Sequence, residues 1–128
     1  MNVFDLDLTE SQRMMREACR KFVDDTITPF VLKNWKNEWN MTPEERLPNS
    51  ILQEADSLGI RTLGVPEEFG RMSLEKEHEV RTFAIISEEI ARGDSGLADK
   101  LVQNWKVSVL LRAQANQEHQ ETWFTKLM

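Results

Sequence analysis

Three adjacent glutamate pairs, Glu44-Glu45, Glu67-Glu68 and Glu88-Glu89, are the side chains best suited to acid–base chemistry, with His78, His119 and Cys19 beside them as candidates. Paired carboxylates can divide the roles of proton donor and acceptor when both reach one substrate atom. The first two pairs fall in segments without helical period. The third falls on a helix, where neighbouring side chains diverge by about 100° and cannot converge on one atom. All three pairs are therefore expected on solvated faces, an interdomain salt bridge being the one specific role open to a member. His78 and His119 are isolated in charged surroundings and read as surface residues. Cys19 sits among apolar residues, as a buried and inert thiol would. With no Gly-rich phosphate loop, metal-ligand spacing or nucleophile-with-base arrangement, the sequence assigns no catalytic residue and no metal ligand.

The four tryptophans divide by context. Trp105 and Trp123 fall on helical apolar patterns and are expected in the core. Trp35 and Trp39, flanked by Lys33, Lys36, Asn37 and Asn40, are candidates for a partly exposed docking surface.

The elements that must position these residues are helical. Thr9 and Gln12 have capping-box spacing, opening a helix to Val23 with Met14, Met15, Ala18, Cys19, Phe22 and Val23 on one half. Pro29 is expected to interrupt it, with a short helical piece resuming to Lys36. Residues 37–48 read as a loop. A helix capped by Asn49 follows, with Ile51, Leu52, Ala55 and Leu58 inward and Gly59 as a left-handed terminator. Residues 60–66 are turn-like. Ser73 is the expected cap of a fourth helix whose first turns hold Glu75 and Glu77. Its apolar stripe is Val80, Phe83, Ala84, Ile86, Ile90 and Ala91, with Arg81, Glu88 and Glu89 opposite, and Gly93 stops it.

Asp94 then caps a fifth helix, about 95–113, that is apolar on two sides. Leu97, Ala98, Leu101, Val102, Trp105 and Val109 form one stripe; Val107, Leu110 and Leu111 add a second face. Two apolar faces require two partners, so the second face is expected to meet another domain, a partner or a second copy. A last helix near 116–126 offers Trp123, Phe124 and Leu127 to the core. The expected fold is all-α, an antiparallel bundle of five or six helices with the fifth nearest the centre.

Composition bounds the function classes. The chain has 128 residues, enough for one core, and a formal net charge of -6, which argues against nucleic acid or an anionic membrane as partner. One cysteine excludes an internal disulfide and accords with a reducing cytoplasm. No basic-then-apolar leader and no apolar run of about 20 residues is visible, so a soluble cytoplasmic chain without a membrane span is expected.

Four blocks in order carry a resemblance: Phe4 to Gln12, Leu58-Gly59-Ile60, Gly64-Val65-Pro66-Glu67-Glu68-Phe69-Gly70, and Ser87-Glu88-Glu89-Ile90-Ala91-Arg92 followed by Asp94-Ser95-Gly96. Nearly the whole chain resembles the N-terminal helical domain of the acyl-CoA dehydrogenases. The resemblance implies one domain over residues 1–128, without the β and C-terminal helical domains that complete such a subunit. In the family, the α proton of an acyl-CoA thioester is removed and the β hydride passes to FAD. The flavin site and glutamate base belong to the later domains, so this chain alone is expected neither to bind FAD nor to oxidise acyl-CoA.

By the same resemblance, Leu97, Ala98, Leu101 and Val102 contribute to the wall around the acyl tail. Val107, Leu110 and Leu111 are the interdomain or partner face, met by the remaining domains or by self-association. Two departures stand out: Arg71 replaces a second glycine after Gly70, which predicts a reshaped loop, and Asp99 and Lys100 bring charge next to the wall. The alternative function is a stand-alone, non-enzymatic helical interaction module derived from that family.

Overall fold

A computed structural model describes residues 7–69 and 79–127. The block beginning at Phe4, the Ser73 cap with Glu75 and Glu77, His78 and the Arg71 departure lie wholly or partly outside those residues. The described residues are helical and contain no strand.

Helix α1 spans Glu10–Phe22. Thr9 Oγ1 accepts the Gln12 N–H at 3.2 Å and Gln12 Oε1 accepts the Thr9 N–H at 3.1 Å, closing the expected capping box. Gln12 also reaches inward, its amide donating to Thr82 Oγ1 at 3.2 Å across the packed helices. Cys19 and Phe22 are buried, whereas Met14, expected on the same face, is exposed.

Pro29 does not break the chain's helical course. Residues Val23–Ile27 form a π turn, and α2 continues from it over Thr28–Asn34. The Thr28 N–H reaches back five residues to the Val23 carbonyl. That wider turn shifts the hydrogen-bond register before the proline, whose ring lacks an N–H and would clash in a regular α register. Residues 37–48 are also more ordered than expected. A 3-10 turn covers Trp35–Asn40, and the four-residue α3, Pro43–Arg46, has its own capping box between Thr42 and Glu45.

Helix α4 is Asn49–Ser57, with Pro48 rather than Asn49 in the cap position. Proline there supplies extended backbone but no side-chain acceptor. Gly59 ends α4 at φ 72°, with the Ile60 N–H donating to the Ala55 carbonyl at 3.0 Å. This is the left-handed termination glycine allows. Helices α5, Glu79–Gly93, and α6, Ser95–Gln114, are joined by Asp94 alone, and α7 is Gln117–Leu127.

Helix α5 is the most widely shared wall of the bundle, packing on α1, the π turn and α6, whereas α6 packs on α5 and α7. Its buried face also differs from the expected stripe. Thr82, Ile85, Ile86, Glu89 and Ile90 face inward, while Val80, Ala84 and Ala91 are exposed. The core joins Phe22, Val23 and Ile27 to Ile51, Ile60, Leu63, Ile86, Ile90 and Leu101. From α7, Phe124 is fully buried and Leu127 partly so; Trp123, expected in the core, is half exposed.

Candidate functional site

Asp94 sets the start of α6, its Oδ1 accepting the Leu97 N–H at 2.7 Å. This N-cap fixes the rotation of the helix, and Leu97, Ala98, Leu101 and Val102 all turn inward as a buried row within this domain's own core. Ser108 continues the row. Trp105 is half-buried, stacked on Phe83 with ring centroids 4.0 Å apart. On the other side Asp99, Lys100, Gln103 and Lys106 are exposed, and Lys106 Nζ donates to Asp99 Oδ1 at 2.8 Å. That hydrogen bond and the Lys106 charge hold the Asp99 carboxyl below its ordinary range. Further along, Val107 and Leu110 are exposed and Leu111 is partly buried.

The acidic pairs part company. Glu45 serves the α3 capping box, and Glu67 and Glu68 lie exposed in a 3-10 turn. Glu88 is exposed as expected, but Glu89 is buried. Its two oxygens accept from Arg20 at 3.1 and 2.6 Å, and Arg92 Nε lies 3.6 Å away. The expected solvated position, with an interdomain bridge as its alternative, thus gives way to a pair inside the domain tying α1 to α5. A carboxylate can face inward there because a bidentate arginine replaces its lost hydration.

Cys19 is fully buried, and burial, reinforced by the nearby Glu89 charge, raises its thiol to about 12. Such a thiol is not a nucleophile at neutral pH. His119 is exposed, and no group of metal-ligating side chains occurs among the described residues. Glu79 escaped the sequence reading. It accepts from Trp105 Nε1 at 3.1 Å and from both outer nitrogens of Arg112 at 3.1 and 2.7 Å. Nothing local marks it, because its partners lie 26 and 33 positions away.

A cleft of about 470 Å³ opens between α2, the 3-10 turn and α3 on one side and the first turns of α6 on the other. Phe30, Val31, Trp35, Met41, Pro43, Leu47 and Leu97 supply its apolar surface; Arg46, Lys100, Glu38 and Asp94 are its charged residues. Of the four residues expected to wall an acyl tail, Leu97 reaches this cleft, while Ala98, Leu101 and Val102 do not line it. The cleft does not fit a flavin dinucleotide. A pyrophosphate carries two negative charges and needs a set of converging donors, whereas Glu38 and Asp94 here offset most of the charge of Arg46 and Lys100.

The model of a family described as acyl-CoA dehydrogenase, N-terminal domain, matches residues 9–128. This chain belongs to that family. It is 28% identical over 120 residues to a (2S)-methylsuccinyl-CoA dehydrogenase of Cereibacter sphaeroides, covering 94% of this chain and 20% of that protein. It is 25% identical over 122 residues to the short-chain specific acyl-CoA dehydrogenase, mitochondrial, of Rattus norvegicus, covering 94% and 27%. To a glutaryl-CoA dehydrogenase of Desulfococcus multivorans it is 31% identical over 97 residues, covering 76% and 23%. No solved structure gives a significant match. The chain thus spans between a fifth and just over a quarter of the length of these acyl-CoA dehydrogenase relatives. Among the described residues, no helix is long and apolar enough to cross a membrane.

Proposed function

We propose that this chain acts as the N-terminal helical domain of an FAD-dependent acyl-CoA dehydrogenase that introduces an α,β double bond into an acyl-CoA thioester. Its part is to shape the subunit and help enclose the acyl tail. The observation that carries this reading is the two-sided character of α6 within a family member. Leu97, Ala98, Leu101 and Val102 anchor the helix in the core, while Val107 and Leu110 stay exposed for a further element.

In this reading the buried row holds the wall in place rather than presenting it. An enclosed tail gains about 0.8 kcal/mol for each methylene removed from water, so the position of α6 would set the chain length accepted. FAD, when bound by the complete subunit, supplies the hydride acceptor. None of the residues described here is assigned to it.

The experiment is complementation. Alone, the chain is expected to lose flavin absorbance on desalting and to leave acyl-CoA unoxidised. Supplied with the β and C-terminal domains of a relative, it is expected to restore turnover, and replacing Leu110 with Glu should weaken that restoration. Flavin retained by the isolated chain would overturn the assignment. The exposed Val107 and Leu110 also suit a second reading, a non-enzymatic interaction module, which predicts that no such supplement restores turnover.

A further inference from the structure

We propose that the cleft between α2 and the first turns of α6 binds a single-chain aliphatic carboxylate, tail inward and head at Arg46 and Lys100. The site is built entirely by this chain and does not rest on the acyl-CoA reading.

Its volume of about 470 Å³ lies within the range of small-molecule sites, and its surface is mainly apolar. A narrow aliphatic tail meets that surface without leaving a polar group unsatisfied. The charged residues are not equivalent. Asp94 is committed to capping α6, where the positive end of the helix dipole offsets its charge. Arg46 is held in place by its Nε, which donates to the Glu38 carbonyl at 3.1 Å. Its outer guanidinium nitrogens, and the Lys100 ammonium, have no ion-pair partner among the described residues. Glu38 is the one carboxylate of the cleft that neither caps a helix nor pairs. Two uncommitted cations against one uncommitted anion favour a singly charged anionic head.

The lobe that forms the far wall is braced rather than loose. Asn34 donates to the Phe30 carbonyl at 2.9 Å, the Met41 N–H to the Glu38 carbonyl at 3.1 Å, and the Thr42–Glu45 box fixes α3. A cleft with a braced wall requires little ordering on binding, which favours affinity.

The test is titration of the 128-residue chain with hexanoate, octanoate and decanoate, read by amide chemical shifts. Shifts are expected at Phe30, Val31, Met41, Leu47 and Leu97, with affinity rising about fourfold for each added methylene. Lys100→Glu, at an exposed position, should weaken decanoate about tenfold or more while leaving the melting temperature unchanged. Met41→Trp, which fills the cleft, should abolish binding. Shifts confined to Val107 and Leu110, or affinity independent of tail length, would overturn the proposal. So would decyltrimethylammonium binding more tightly than decanoate, since Glu38 would then be the reader. Binding of decanoyl-CoA without decanoate would also sink it, yet leave the acyl-CoA dehydrogenase reading standing.

Discussion

Gly64 shows how much one missing side chain can hold. Its backbone sits at φ 85°, and a Cβ there would lie 2.9 Å from Trp105 Cδ1 and 3.3 Å from the Ser108 Cβ. Both the positive φ and the close approach to α6 require glycine. Gly64→Ala should lower stability by about 1–3 kcal/mol in urea denaturation. Cys19 makes a second prediction at this scale. Its thiol titrates near 12 when folded instead of the ordinary 9.0, so the folded state keeps a proton that the unfolded chain releases. Between about pH 9 and 12 its contribution to stability should therefore fall as pH rises, by up to about 1.4 kcal/mol per unit. Cys19→Ala should flatten that part of the pH–stability curve. In the native protein at pH 7, Cys19 should react with a thiol reagent only as the chain opens.

At the scale of elements, α1 is held at both ends to α5, by Gln12 to Thr82 and by Arg20 to Glu89. The two partners of the ion pair are unequal. Arg20 remains half exposed and can be rehydrated if Glu89 is lost, whereas Glu89 is enclosed, with Arg92 at 3.6 Å as its remaining cation. Arg20→Ala should therefore lower the urea midpoint more than Glu89→Gln. Thr9→Ala removes the cap that starts the helix and should cost about 1 kcal/mol by the same measurement. The π turn before Pro29 also serves packing. A Cβ on Gly93 would lie 2.7 Å from Val23 Cγ1 and 2.9 Å from Ile27 Cγ2, so the end of α5 closes directly onto that turn.

At the scale of the whole molecule, apolar surface on α6 stands in contact with solvent. Leu110 is 64% exposed and Val107 41%, so neither can carry much of the fold's own stability. Leu110→Glu should change unfolding free energy by less than about 0.5 kcal/mol, yet reduce self-association in light scattering. Unfolding by that substitution would mean the face is already sheltered. Exposed Val80, Ala84 and Ala91 on α5 add apolar surface that the sequence pattern had assigned to the core.

Much of the bundle was legible in the sequence, because its signals are local. The Thr9–Gln12 box, the Gly59 terminator, the Asp94 cap and the burial of Cys19 each depend on residues within a turn or on one apolar face. The family motifs were legible for the same reason, as short contiguous strings. Of the candidate site, the inward row of α6 could be read from its period, but the cleft could not. Its walls come from residues 30–47 and 94–100, and a single sequence does not say that these segments face each other. The burial of Glu89 was hidden likewise, since its arginine lies 69 positions away and a helical wheel counts a glutamate as solvent-facing. Pro29 could be read as a break but not as a π turn, because the close approach of Val23 and Ile27 to Gly93 joins segments far apart in the sequence. Composition, caps and periodicity determined that the chain is helical and where most helices end; which charges are buried and where a cleft opens was decided by contacts distant in sequence, whose energies exist only once the helices pack.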